Sequence, residues 1–468
     1  MKKLFVLVIS VFLGANLYGQ GNEPFETYSF SSFLASSIKE LEVTTSNGRI
    51  TVNGNANSEA VVEMFVTVSR SVNNSTNWSL FRRNNRNSLN GWSDEEIRQT
   101  LEEDYTIDIK IEDGKLFAVA IPKNRNIQQR LSISFKISVP KQVNSNLQTS
   151  NASISISNLS GSQSFRTSNG SLTVENIVGK IVGSTSNGSI NVKNANDEVD
   201  LRTSNSRITA ENCSGKIILS TSNGSVNLTN LNGDVSASTS NSSVTAKNIN
   251  GELNIRTSSG SVNIEEHTGS VTATTSNGRI TASNIKAGTS KINLNTSNGS
   301  VNMNNLTGNV TATTSNNSVT ARHINGELTI RTSSGSVNVG EHTGNVTAST
   351  SNSSVTANNV NGSMNIRTSS GSMEINGISG NVTAITSNGR VTARNITGEI
   401  KIETSNGSVN LDGISGSVDA RTTNNSMTVA MQSVTTTASD PTSIKKLECI
   451  QRLILPMEEI CILKVFIY

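Results

Sequence analysis

Side chains able to do chemistry are few in this chain and lie far apart. There are three histidines (His267, His323, His342) and three cysteines (Cys213, Cys449, Cys461), at spacings that match no metal-ligand set or disulfide framework. The aspartates of the long central stretch (Asp197, Asp200, Asp234, Asp412, Asp419) do not fall into one cluster, and no Phe, Tyr or Trp occurs between Phe165 and Phe466. A polysaccharide-cleaving site on a β-helix gathers acids, bases and aromatic sugar platforms in one groove. The sequence offers no such gathering, so no catalytic, cofactor-binding or metal-binding residue is assigned. Aromatic and cationic groups concentrate only in residues 73–105. That stretch holds both tryptophans, Trp78 and Trp92, with Phe81, Arg82, Arg83 and, at its end, Tyr105. These six are the candidate ligand-binding set; in the competing reading the rings simply cover the first repeats.

The elements that must position such groups follow from an internal period. The Thr of a T-S-[N/S] triplet, TTN in its last copy, recurs at 149, 167, 185, 203, 221, 239, 257 and 275, then at 296, 314, 332, 350, 368, 386, 404 and 422. Every interval is 18 except one of 21, where Lys286–Ser290 carries three extra residues. With that Thr as position 1, the unit reads T-S-N-G-S-V-T-A-x-N-I-x-G-x-V-x-A-x. Branched apolar residues fall at 6 and 15, further apolar residues at 8 and 17, and glycine tends to 4 and 13. Each half alternates apolar and polar with period 2, the mark of a strand with one buried face, and then turns at Asn and Gly.

The expected fold is therefore all-β: a parallel β-solenoid (β-helix) of about 16 coils with 18 residues per coil, its handedness left open by the sequence. Identical residues would stack about 4.8 Å apart, so Asn at positions 3 and 10 should form amide ladders. No proline interrupts residues 142–439, as central ladder strands require. Positions 8 and 17 pair large with small in every coil from Leu228 with Ala237 to Leu411 with Ala420, and the large member alternates from coil to coil. A thin core of constant volume, with the two positions in contact across it, accounts for this. The solenoid is assigned residues 149–434.

Before it, residues 21–148 form an irregular N-terminal β region and cap. Its segment 38–54 already contains one repeat unit, and strand-like runs follow at 60–68, 106–121 and 131–139. Ser93 with Glu96 three residues on is a capping box, predicting one short helix over 94–104 within the excursion 73–105. Residues 1–20 pair Lys2 and Lys3 with an apolar run, as a secretory signal peptide does. Residues 435–468 form an atypical tail, apolar but interrupted by Arg452, Glu458, Glu459 and Lys464, and so not a transmembrane helix. An end cap, a docking tail and an altered reading frame all fit it.

Calcium-binding nonapeptide repeats place an Asp in the turn; here the turn is S-N-G-S or S-N-S-S, which lacks the charge. Flat threonine arrays that bind ice do not fit either, because position 18 holds Arg166, Arg202, Arg256, Arg331, Arg367 and Arg421. His323 at position 10 is expected to meet Glu341 of the next coil rather than a metal. His267, His342 and Cys213 occupy position 11, which is usually apolar. A net charge of only +3 over 468 residues gives no basic field for nucleic acid.

The segments LEVTTSNGRITVNG and ISFKISVPK, followed by runs of the TSNGSITVxNIxG type, resemble the bacterial domain-of-unknown-function family labelled putative adhesin, whose relatives include the head domain of a proposed surface adhesin. The resemblance covers about residues 36–430. It implies a β-solenoid in the envelope or outside the cell and carries over no catalytic residue. The expected function is that of a non-enzymatic exported solenoid at the cell surface or in the periplasm. It would act as an adhesin or envelope structural protein, binding a cell-surface, matrix or envelope component through repetitive polar faces and using no cofactor. The alternatives are a periplasmic envelope-stress or scaffolding protein that recognises a partner through residues 73–105, and a polysaccharide-active β-helix enzyme.

Overall fold

A computed structural model of the chain describes residues 24–55, 59–68, 93–124 and 131–431, together with the backbone of 461–465. The proposed signal peptide, most of the loop before the helix and most of the tail lie outside the described residues. The chain is nearly all β, with about 16 parallel stacked coils of about 18 residues. It divides into two compact units, the first reaching to Asn227 with Leu231–Gly233, the second comprising Leu228–Asn230 and the chain from Asp234 onward.

In the first unit, β1 (Glu26–Phe30), α1 (Ser32–Ser36), β2 (Glu40–Thr45), β3 (Ile50–Asn55) and β4 (Ala60–Val68) precede α2 (Asp94–Asp104). β5 (Tyr105–Glu112), β6 (Lys115–Pro122), β7 (Leu131–Pro140) and β8 (Asn144–Gln148) follow. The run expected over 106–121 is thus a hairpin, broken at Asp113 and Gly114 with φ of 49° and 76°. Two successive left-handed residues are what a tight two-residue β-turn requires, and Asp-Gly supplies them.

β2 and β3 flank the corner at Thr45 and together make one coil, and chain order and stacking order part company there. β2 pairs in parallel with β6 on one side and β8 on the other. β3 likewise pairs with β7 and with the strand Ile154–Ser160. Residues 115–140 therefore make a coil on the far side of the Thr45 coil from the repeats. Antiparallel strands cover that coil: β4 lies along β7, β1 along β4, and β5 along β6. The unpaired edge that a parallel stack would otherwise expose is closed by this reversal of strand direction.

Each later coil repeats one plan. In the coil from Thr167, Leu172–Val178 and Ile181–Ser184 pair in parallel with the residues 18 earlier, Leu172 opposite Ile154 and Ile181 opposite Gln163. The long strand bends at position 10, where Asn176 takes φ 55° in the left-handed region that Asn tolerates best after Gly. A second bend at position 13 needs φ 128° at Gly179, which a side chain would resist. Positions 6, 8, 11, 15 and 17 point inward; in the coil from Thr314 these are Val319, Ala321, Ile324, Leu328 and Ile330, all buried. The three extra residues near 286–290 appear as a register shift between Lys286 and Lys291.

The repeat's first residue has a structural task that its polarity concealed. Thr185 is buried; its Oγ1 donates to Gly170 O of the previous coil at 2.9 Å and accepts the N–H of Gly188 at 3.2 Å. The same pair of bonds recurs at Thr275 and Thr314 on the donor side and at Thr221, Thr257 and Thr404 on the acceptor side. Each hydroxyl closes its own turn and ties it to the neighbouring coil.

Both members of every large–small pair are buried, as the constant-volume reading requires. Complementarity also runs along the stack. At position 17, Gly183 lies between Phe165 and Leu201, where a Cβ would stand 3.0 Å from Phe165 Cδ2 and 2.8 Å from Leu201 Cδ2. In the second unit the tail returns as the strand Cys461–Val465, antiparallel to Val418–Thr422, a pairing that fits an end cap.

Candidate functional site

The helix expected from the capping box is present. Ser93 Oγ accepts the N–H of Glu96 at 3.2 Å, and Glu96 Oε2 accepts the N–H of Ser93 at 2.7 Å, which holds the pKa of the Glu96 carboxyl below its ordinary value. Asp94, Glu95 and Glu96 place negative charge at the positive end of the helix dipole. Ile97 and Leu101 bury one face of α2.

That docking leaves a cleft of about 310 Å³ between α2, β1 and β5, lined by Phe25, Glu26, Tyr28, Arg98, Glu102 and Tyr105 among others. Arg98 Nη1 lies 3.1 Å from Glu26 Oε1, and its guanidinium stands 4.8 Å from the Phe25 ring centroid. Tyr28 OH donates to Glu26 Oε2. Burial first, then the hydrogen bond and charge of Glu26, push the Tyr28 phenol far above its ordinary value, so it stays a neutral donor. The cleft presents an aromatic edge beside a paired cation and carboxylate. Its ion pair is partly exposed and adds less than about 1 kcal/mol.

Of the six residues expected to bind a ligand, Trp78, Phe81, Arg82, Arg83 and Trp92 lie outside the described residues. Tyr105 lines the cleft, yet its hydroxyl is already engaged: it donates to Leu131 O at 3.2 Å and accepts the Leu131 N–H at 3.3 Å. Tyr105 thus ties α2 and β5 to β7. The residues that give the cleft its character, Glu26, Tyr28 and Arg98, went unread in the sequence because β1 reaches the helix only through antiparallel pairing with β4.

The solenoid faces carry the other candidate surface. Amide ladders run at position 3, with Asn187 Nδ2 to Asn169 Oδ1 at 2.7 Å and Asn424 to Asn406 at 2.7 Å. They run also at position 10, with Asn194 to Asn176 at 2.8 Å and Asn305 to Asn284 at 2.7 Å. His323 Nε2 meets Glu341 on this second ladder, as expected. At position 9, ion pairs link successive coils: Lys193 with Glu211 at 3.6 Å and Lys247 with Glu265 at 3.4 Å. The position-18 arginines are exposed, Arg202 being paired with Asp200 at 2.9 Å. Cys213 is buried and its thiol is pushed up by desolvation, so it packs as a small apolar group. Among the described residues no group of three or more His, Cys, Asp or Glu could hold a metal ion.

Residues 233–362 match the Toastrack family, DUF4097. The Toastrack match bears out, over the middle of the repeats, the family resemblance drawn from the TSNG runs. No curated protein matches the chain. A solved structure described as a putative cell adhesion protein from Clostridium sporogenes is similar at 9% identity over 51% of this chain and 97% of that one, with a TM-score of 0.18. At that score the likeness bears on neither the fold nor the function of this chain.

Proposed function

We propose that the chain is an exported, non-enzymatic β-solenoid that binds a cell-surface, matrix or envelope component through its repeated polar faces. One observation carries this reading: outward rows of alternating hydroxyl and amide groups in strict register. At position 7 the second unit sets Thr245, Asn263, Thr281, Asn302, Thr320, Asn338 and Thr356 opposite one another on successive strands. Hydroxyls and amides at a spacing of about 4.8 Å offer many weak contacts to an extended partner, and such contacts gain strength through multiplicity. Export is supported by the Lys2, Lys3 and apolar run at the start of the sequence. Among the described residues no helix is long and apolar enough to cross a membrane.

Fractionation with protease shaving of intact cells tests the location, and adhesion of the purified chain to those cells tests the binding. Protein confined to the cytosol, or binding that does not saturate, would refute the proposal. The α2 cleft supports a second reading, recognition of one envelope partner through the N-terminal region. Arg98→Glu separates the two: loss of all binding favours the partner reading, and unchanged adhesion favours the repeated faces.

A further inference from the structure

Position 9 holds a side chain in every coil of the second unit's long strands except one, where it is Gly340. Nothing in the fold asks for that glycine. Its φ is not in the left-handed region, and a Cβ built there meets only Arg322 Cγ at 3.9 Å and Asn358 O at 4.0 Å, ordinary contacts. A glycine inside a strand weakens it, and where packing does not require one it marks close approach by another group.

The chain contains its own control. The coil from Thr257 is a near-copy of the coil from Thr332, and in it position 9 is Glu265, opposite Lys247 of the preceding coil at 3.4 Å. In the later copy the cation is kept as Arg322, in register with Gly340, while the carboxylate is gone. Arg322 is exposed and has no ion-pair partner among the described residues. The missing side chain opens a notch of about 360 Å³ over Arg322, flanked by Thr320, Asn338, Thr356, Asn358 and the Glu341 carboxylate.

We infer that this notch binds the carboxylate of an acidic saccharide, a uronic-acid unit, with Arg322 taking the place opposite the carboxylate that Lys247 has opposite Glu265. Arg presents a planar fork that accepts a carboxylate bidentately. The Asn338 and Asn358 amides and the Thr320 and Thr356 hydroxyls have no side-chain hydrogen-bond partner among the described residues and match ring hydroxyls, while the Glu341 carboxylate at the notch is held by His323. Val339, the one large apolar side chain among the notch's lining residues, is itself buried, and the volume, at the low end for small-molecule sites, suits one sugar ring with its neighbour. The inference rests on the surface-binding reading only in taking the sugar to belong to a surface polymer. A free saccharide binds or fails to bind wherever the protein resides, so the two can fail separately.

The test is saturation-transfer NMR on the full chain with trigalacturonate, using maltotriose, acetate and a tri-glutamate peptide as comparisons. Trigalacturonate should bind at least tenfold more tightly than the other three. Arg322→Gln should weaken it at least tenfold, and Gly340→Glu should abolish it by supplying an internal carboxylate as Glu265 does, with thermal stability kept. Equal binding of maltotriose, equal or tighter binding of acetate or the peptide, or full binding by stable Arg322→Gln or Gly340→Glu protein would overturn the inference. Glu265→Gly supplies an independent arm, since it should create a second, weaker site at Lys247; a stable variant with unchanged stoichiometry would count against the assignment.

Discussion

Replacing Thr185 by Val tests whether the first residue of the repeat holds the coils together or merely fits between them. The substitution keeps shape and removes one hydroxyl whose two shorter bonds run at 2.9 Å to Gly170 O and at 3.2 Å from the Gly188 N–H, with Ser168 O a more distant acceptor at 3.4 Å. The site is buried, so water cannot replace either bond. Each stranded group costs about 1–3 kcal/mol, while the new methyl returns about 0.8 kcal/mol. The expected net loss is therefore about 1–5 kcal/mol, centred near 3. Thr185→Ser keeps both bonds and forfeits one methyl, about 1 kcal/mol. Urea unfolding followed by circular dichroism ranks the three proteins, and amide exchange at Gly188 locates the change. Val equal to Ser in midpoint, or Gly188 protection untouched by Val, would refute the role assigned to the hydroxyl.

Gly183→Val should destabilise by about 1–3 kcal/mol through overpacking against Phe165 and Leu201. Adding Leu201→Ala should recover part of that loss; a double variant weaker than the sum of its singles would sink the idea of complementarity along the stack. Deleting one coil, residues 350–367, sets Val339 beside Ile375 and Ala348 beside Ala384, like against like, whereas deleting residues 350–385 keeps the alternation. The shorter deletion should therefore melt lower than the longer one, although it removes fewer residues; the opposite order would show that alternation does not govern packing. Burial holds the imidazoles of His267 and His342 below their ordinary value, and neither ring nitrogen of His342 has a partner among the described residues. As pH falls below about 6.5 the unfolded chain takes up protons that the folded core refuses, so stability present above that pH is lost by about 1.4 kcal/mol per unit for each group. His342→Ile, the residue type usual at position 11, should raise stability at neutral pH and reduce that slope; denaturant midpoints across pH 4–8 (about that range suffices) check both.

How far the fold could be read depended on which contacts repeat. Stacked coils force the same residue into the same place every 18 positions, so the period, the Asn ladders and the meeting of His323 with Glu341 could all be counted off the chain. Thr at position 1 was visible but mute. A polar residue at a corner reads as solvated until the neighbouring coil's carbonyl is placed 2.9 Å away. The N-terminal order was hidden for a different reason: β6 and β7 join the stack on the far side of β2 and β3, a non-local pairing that no periodicity announces. The cleft residues Glu26, Tyr28 and Arg98 depend on that same pairing, and five of the six residues marked from sequence lie outside the described residues.

The two near-copies separate what the fold demands from what the surface is free to change. Between residues 251–269 and 326–344 only three positions differ: Asn254 against Thr329, Ile264 against Val339, and Glu265 against Gly340. The first exchanges one outward hydrogen-bonding group for another, and the second removes one methylene from a buried row. Only the third changes charge, and it does so opposite a cation that both copies keep, Lys247 in one and Arg322 in the other. Core and corner positions are tied to neighbours on both sides, so a change there propagates along the stack. An outward position is tied to nothing but the coil above and below its own side chain. In such a scaffold a binding site can arise by deleting one carboxylate, because the backbone, the opposing cation and the flanking amides are already in register.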